Sequence, residues 1–171
     1  MDDRLWAIFA RRSIRLYTEE PVGEADLQSL LEAGMAAPSA SDRKPWHFVV
    51  VTERDTLSAL AEAHPYGKML ARAGAAIAVC GDPGTSTWWV QDCSAATENI
   101  LVAAAALGLG AVWLGCHGSP GREEAIRSVL GIPDAIGVLS LLSIGHPAEK
   151  KEPRTQYNPQ RVYINRWRVD V

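Results

Sequence analysis

Between Ala73 and Gly121 the chain has no lysine or arginine and only three acids, Asp82, Asp92 and Glu98. A segment so poor in charge has to supply the centre of a core rather than a surface. Its most apolar part, ILVAAAALGLGAVWLGC from Ile100 to Cys116, nears the length of a membrane crossing. Two features argue against a span. The segment is rich in Ala and Gly, which are weakly hydrophobic, and Gly108-Leu109-Gly110 punctuates the middle. A buried helix running into a buried strand accounts for the segment better: a helix from Trp88 to Leu107, Gly108 as its C-terminal cap, and a strand from Ala111 to Cys116.

The same reading extends to both sides. Asp2 or Asp3 can cap a first helix that gives out near Ser13. Pro21 and Gly23 break the chain before a second helix, Glu24 to Ala36, with Leu27, Leu30, Leu31 and Met35 at helical spacing. WHFVVVT, Trp46 to Thr52, reads as a buried strand. Asp55 to Ala63 is a short amphipathic helix, Ala75 to Cys80 a second strand, Ser119 to Leu130 a surface helix and Ile136 to Ile144 a fourth strand. The tail from Ala148 is rich in Pro and Arg but carries Tyr157, Val162, Tyr163, Ile164 and Trp167, with a short extended piece around Val162 to Ile164. Such a tail is expected to pack on something, a second subunit included. With 171 residues and 47% hydrophobic content, residues 1–171 are expected to form one α/β-type domain with about four core strands.

The net charge of −3 argues against a general nucleic-acid binder. Three cysteines do not make a secreted disulfide framework, and MDDR at the start lacks the basic and apolar regions of a signal peptide. The cytoplasm is therefore the expected compartment, with no membrane partner. The four His and three Cys show no metal spacing. On a strand, Cys116 and His117 point to opposite faces and make a poor pair. No phosphate-binding glycine loop, P-loop or nucleophile elbow is present.

Two stretches carry chemistry. RRSIR, Arg11 to Arg15, places three guanidiniums and a hydroxyl within five residues, suited to phosphate oxygens. Taken alone, it reads more readily as a solvated helix C-terminus, where cations favour the helix dipole. The last part of the chain is also basic, with Lys150, Lys151, Arg154, Arg161, Arg166 and Arg168. If the two ends meet, they form an anion site; otherwise they are charged termini. APSASDRKPWHF, Ala37 to Phe48, is a loop of small and polar residues that lets backbone approach a flat ligand closely. It is also readable as an ordinary helix-to-strand connection.

Taken in series, these stretches resemble the FMN-dependent nitroreductase family. RRSIR resembles its opening arginine-serine motif and APSASDRKPWHF its A-P-S-x-x-N-x-Q-P-W segment. DCSAATENILVAAAALGLGAVWLG resembles its central helix and following strand, and LGIPDAIGVLSLLSIGHPAEKKEPR its last strand and tail. QYNPQRVYINRW is similar to the ending of its short members. The resemblance implies an α+β fold with a central mixed sheet of four core strands flanked by helices. It also implies an obligate homodimer, with the C-terminal extension packing on the partner and an FMN site at the interface. Arg11, Ser13 and Arg15, with Arg12 between them, fall on the first flavin-contacting positions, and Arg154 on the phosphate-contacting residue. Pro38, Ser39 and Ala40 fall on a loop that reaches the flavin across the dimer. Leu114 and Gly115 fall on a strand end whose backbone approaches the ring.

Two positions depart from the family pattern. Asp42 stands where the family has Asn and Lys44 where it has Gln. A carboxylate near the ring disfavours an anionic reduced flavin and a lysine favours it. Either the pair cancels, or Asp42 pairs with Arg43 and leaves the ring. The resemblance implies an NAD(P)H oxidoreductase working by ping-pong hydride transfer, with NADH or NADPH as co-substrate. Nitroaromatics, quinones or flavins are the expected small-molecule acceptors. The short gap from Thr52 to Ala75, with His64-Pro65-Tyr66-Gly67-Lys68 its only unusual part, suggests an open site. The other reading is a non-enzymatic FMN-binding or storage module, or a dimeric scaffold without flavin.

Overall fold

A computed structural model describes residues 2–167. The uncharged middle of the chain becomes its centre. Four strands form one sheet: β1 (Trp46–Val51), β2 (Ala75–Gly81), β3 (Gly110–Gly115) and β4 (Gly137–Gly145), in the order β1-β2-β4-β3. Trp46 pairs with Gly81, Ala75 with Ile144 and Gly110 with Gly145. All three pairings are antiparallel, so the sheet is not mixed in its strands. Among the described residues its parallel element is a single bridge from Ser13 to Ala111.

β2 and β4 are buried along their whole length, as the inner positions of a sheet covered on both faces require. Ala75, Ile77 and Val79 face one cluster with α2 (Glu24–Met35) and α4 (Trp89–Ala106). Ala76, Ala78 and Cys80 face the other with α3 (Arg54–Ala63) and α5 (Pro120–Leu130). The period of two is the pleat itself. β1 was expected to be buried, but it is an edge strand with His47 and Val50 exposed. Its run of β-branched residues reflects strand preference as well as burial.

α4 buries a stripe through Trp89, Asp92, Cys93, Ala96, Thr97, Ile100, Leu101 and Ala104. It stops at Gly108, whose φ of +75° is left-handed, and Leu109 N–H closes on Ala104 O at 2.8 Å. The Trp89 indole lies so close over Gly81 and Gly137 that a Cβ at either position would fall inside it. No helix among the described residues is long and apolar enough to cross a membrane.

The N-terminal helix is shorter than its pattern suggests. A 3-10 turn at Asp3–Leu5, capped by Asp2, leads into α1 (Trp6–Ala10). Arg11 caps α1, its N–H donating to Ala7 O at 2.9 Å, and from Ser13 the backbone is captured by the sheet: Ile14 N–H donates to Ala111 O at 3.0 Å. RRSIR therefore leaves the helix end at once and runs as an extended segment beside β3. In the tail, a 3-10 turn at Pro159–Arg161 precedes the expected extended piece, where Val162 is extended but 162–164 form no strand. Tyr163 and Trp167 stack at 4.1 Å, while Tyr157, Ile164 and Trp167 are 72%, 77% and 74% exposed.

Candidate active site

The two basic ends of the chain meet. Arg154 N–H donates to Phe9 O at 3.0 Å, Lys151 Nζ donates to Ser13 O at 2.5 Å, and the Arg12 guanidinium donates to Glu152 O. The Glu149 carboxylate accepts the amides of Arg15 at 2.6 Å and Leu16 at 3.2 Å. The Arg15 amide, more than any other group, holds that carboxyl below its usual range. Arg11 is held from the side by α4: its Nε lies 3.1 Å from Glu98 Oε1, which leaves both terminal nitrogens to donate elsewhere. Beside this junction lies a cleft of about 540 Å³, lined by Arg15, Leu16, Tyr17, Lys68, Met69, Arg72 and Ala148. Arg72 stands 4.0 Å from Glu19. Tyr17 forms the cleft's rigid side. Its buried hydroxyl lies 2.8 Å from Ile14 O and 3.0 Å from Ser143 O, and burial pushes its pKa up to about 12.

Leu114 and Gly115 end β3. Leu114 is buried, whereas a Cβ on Gly115 would meet nothing within 4 Å. The Gly115 carbonyl is bound by His64 Nε2 at 3.1 Å.

The loop with Pro38, Ser39, Ala40, Asp42 and Lys44 is anchored elsewhere. Ala40 N–H donates to Asp92 Oδ1 at 2.9 Å, and Ser39 Oγ accepts the Lys44 amide at 2.9 Å. Ser41, Asp42 and Lys44 all have positive φ, of 52°, 57° and 50°, unusual for non-glycine residues. The side chains of Asp42 and Lys44 pair with each other at 2.6 Å, both largely exposed. Asp42 does not pair with Arg43 among the described residues; the Arg43 guanidinium donates to Thr85 O at 3.0 Å. Two groups of expected site residues thus stand apart in the chain. Arg11, Arg12, Ser13, Arg15 and Arg154 share the junction by β3. The Pro38–Lys44 loop is fixed to α4 and makes no hydrogen bond to them among the described residues.

The three acids of the uncharged middle are what hold this frame. Asp92, 5% exposed, also accepts the Ser86 hydroxyl at 2.9 Å. Glu98 orients Arg11. Asp82 closes the turn that receives Arg43, accepting Thr85 Oγ1 at 2.6 Å and Gly84 N–H at 2.8 Å. The Thr85 bond, chiefly, lowers the Asp82 pKa. Their isolation in an apolar run was the available signal that each has a specific partner, because an unpaired charge there would be costly. Lys68, Arg72 and Glu149 gave no such signal, because a charge in a surface stretch is ordinary.

The sheet thus lies between two helical layers, with a basic N-terminal segment laid along its β3 edge. The chain belongs to the nitroreductase family, whose model matches residues 8–65 and 60–146. A protein of Archaeoglobus fulgidus, provisionally named NADH dehydrogenase/NAD(P)H nitroreductase, is 46% identical over 98% of this chain and 100% of its own length. A crystal structure of a similarly named protein of Bacteroides thetaiotaomicron superposes with a TM-score of 0.94 at 41% identity, covering 98% of this chain and 99% of that one. A nitroreductase-type protein of Desulfovibrio desulfuricans, solved in complex with FMN, superposes with a TM-score of 0.82 at 30% identity over 98% of this chain and 99% of that one.

Proposed function

We propose that this chain is an FMN-dependent NAD(P)H oxidoreductase acting as a homodimer, its residues 1–171 forming one flavin-binding domain. The observation that carries the reading is the convergence of Arg11–Arg15 with Lys151 and Arg154 on the β3 edge of the sheet. Those residues fit FMN chemically. Arg11 keeps two terminal nitrogens available, and Arg12, Ser13 and Arg154 add donors for a phosphate. In the adjoining cleft neither the Arg15 guanidinium nor the Lys68 ammonium has a hydrogen-bond or ion-pair partner among the described residues. Two cations there suit the electron-rich pyrimidine edge of a flavin. Gly115 leaves the space a flat ring needs. The FMN-bound relative from Desulfovibrio and the NAD(P)H named for the Archaeoglobus relative support the cofactor and co-substrate.

The chemistry FMN supplies when bound is two-electron transfer, from a nicotinamide to a second acceptor in ping-pong order. The chain's own part is to bind and orient. The arginines fix the phosphate, Arg15 and Lys68 place positive charge beside the ring, and Gly115 offers backbone without a side chain in the way. Pro38, Ser39 and Ala40, with Asp42 and Lys44, reach the flavin from the partner subunit, which accounts for their separation from the junction within one chain. The exposed Tyr157, Ile164 and Trp167 pack on that partner. The open cleft admits flat acceptors such as nitroaromatics, quinones and free flavins, and the protein works in the cytoplasm.

The purified protein should be yellow, sediment as a dimer, and bleach anaerobically on addition of NADH or NADPH. A yellow protein that neither nicotinamide bleaches is a binding module rather than an enzyme. A colourless monomer that takes up no added FMN overturns the proposal.

A further inference from the structure

His64 follows α3 and is 2% exposed. Both of its ring nitrogens have partners. Nε2 lies 3.1 Å from the Gly115 carbonyl, and Nδ1 accepts the Tyr66 amide at 3.2 Å. The partners fix the tautomer. An amide N–H can only donate, so Nδ1 is unprotonated; a carbonyl can only accept, so Nε2 carries the proton. The ring is thus a neutral strut between two pieces of backbone.

Those two pieces belong to the strand end assigned to the flavin ring and to the turn that leads into the cleft. Gly115 ends β3 and is the last residue there in register with β4, opposite Ser140. Beyond it both Cys116 and His117 turn their amides onto one carbonyl, that of Leu139. Gly115 also has no side chain to pack, so the peptide that follows is held only through its two ends, its N–H by Leu139 O and its carbonyl by His64. Tyr66 begins the turn whose 3-10 segment, Lys68–Arg72, carries Lys68 into the cleft beside Arg15. The turn is held further by Gly67 N–H on His64 O at 2.8 Å and by the Arg122 guanidinium over the Tyr66 ring at 5.2 Å.

We propose that His64 is a positioning residue for the flavin, fixing through its two nitrogens both the Gly115 peptide against which the ring lies and the turn that presents Lys68. This role rests on the FMN reading above. It gives a buried imidazole a task that packing does not require, since an apolar residue would fill the same space without two bonds to satisfy.

The two bonds can be separated with amide side chains. Gln places its Nε2 near the imidazole Nε2, so His64→Gln keeps a donor to Gly115 O and gives up the bond to the Tyr66 amide. Asn places its Oδ1 near Nδ1, so His64→Asn keeps the Tyr66 bond and gives up Gly115. The apo proteins are titrated with FMN by fluorescence quenching, and their melting temperatures are read without FMN. The expected result is that His64→Asn weakens FMN binding by about tenfold, the upper end for one lost hydrogen bond. His64→Gln should weaken it less, by up to about threefold, because Gly67 N–H on His64 O and Arg122 over Tyr66 still hold the turn that presents Lys68, with the two apo variants melting at similar temperatures.

Three results count against the role. Equal loss of affinity in both variants, in step with lowered melting temperatures, makes His64 a core residue only. Unchanged affinity in both separates Gly115 orientation from flavin binding. A parent protein that takes no FMN removes the function proposal and this role together, whereas an FMN-loaded parent with indistinguishable variants removes the role alone.

Discussion

The buried carboxylate of Asp92 accepts the backbone N–H of Ala40 at 2.9 Å, tying the loop before β1 to the central helix. Its second oxygen takes the Ser86 hydroxyl at 2.9 Å, so both lobes of the carboxylate are used. Replacing Asp92 with Ala leaves an amide and a hydroxyl without partners, and should cost about 3 kcal/mol. Asn keeps one acceptor and can donate to Ser86, so Asp92→Asn should cost about 1 kcal/mol. Urea denaturation of the apo protein measures both. An Ala variant as stable as the parent shows that the loop is held without Asp92.

Gly115 and Gly137 should respond in opposite ways to the same substitution. Gly137→Ala drives a methyl into the Trp89 indole and should destabilise the fold by about 1–3 kcal/mol. Gly115→Ala meets no protein atom within 4 Å and should change stability by less than about 0.5 kcal/mol. Its methyl instead enters the space assigned to the ring, so FMN affinity should fall. If Gly115→Ala binds FMN as the parent does, the ring lies elsewhere.

Arg11 and Arg154 are assigned to the FMN phosphate. Truncating either to Ala should weaken FMN binding by about 1.5–3 kcal/mol, the scale of a hydrogen bond to a charged group. Arg11 is paired with Glu98 and lies outside the apolar core, so the fold should survive its loss. Retention of FMN after extended dialysis of either variant identifies that residue as a surface charge.

Asp42 and Lys44 form an exposed ion pair at 2.6 Å, so the field they exert on a nearby flavin is largely mutual cancellation. Lys44→Gln leaves the carboxylate alone and should lower the midpoint potential of bound FMN. Asp42→Asn leaves the ammonium alone and should raise it. Shifts of about 30 mV are expected, equivalent to about 1.4 kcal/mol for a two-electron couple. The double variant should return near the parent. Redox titrations in which neither single variant moves mean that the pair points away from the flavin.

Alkaline pH should unfold the protein in a predictable window. Burial raises the pKa of Tyr17 from 10.0 to about 12. It raises Cys80 from 9.0 to about 11 and Cys93 and Cys116 from 9.0 to about 12. All four groups hold their protons in the folded state to higher pH than in the unfolded state. The folded state therefore binds more protons through this range, and stability falls as pH rises. Melting temperature should show no contribution from these groups below about pH 8, and should fall steadily above about pH 9. The three thiols should also resist a disulfide reagent at pH 8 until the chain unfolds. A melting temperature level from pH 8 to 10.5 would falsify this account.

Much of the fold is written locally. The helical spacing of Leu27, Leu30 and Leu31, the run AAIAVC and the glycines after α4 and α5 fix element types and ends. Each of these depends only on near neighbours along the chain, as with the left-handed φ of +75° at Gly108 and +64° at Gly131. The family was legible for a related reason, because its motifs are short stretches read in order. Other features depend on partners far away in sequence. RRSIR has the charge pattern of a helix end, which Arg11 is, and the residues after it are extended only because Ala111, a hundred residues on, offers the Ser13–Ile14 backbone an edge. WHFVVV reads as interior, and the sheet order alone makes it an edge strand. The tasks of Asp82, Asp92 and Glu98 were visible only as three charges in an apolar run; which amide, hydroxyl or guanidinium each serves was decided by packing. His64 stood out only as part of an unusual loop, and the bond from its imidazole to Gly115 spans α3 and β3. Hydrophobic periodicity is a property of the chain itself, whereas a hydrogen bond between distant residues exists only once the sheet and its helices have brought them together.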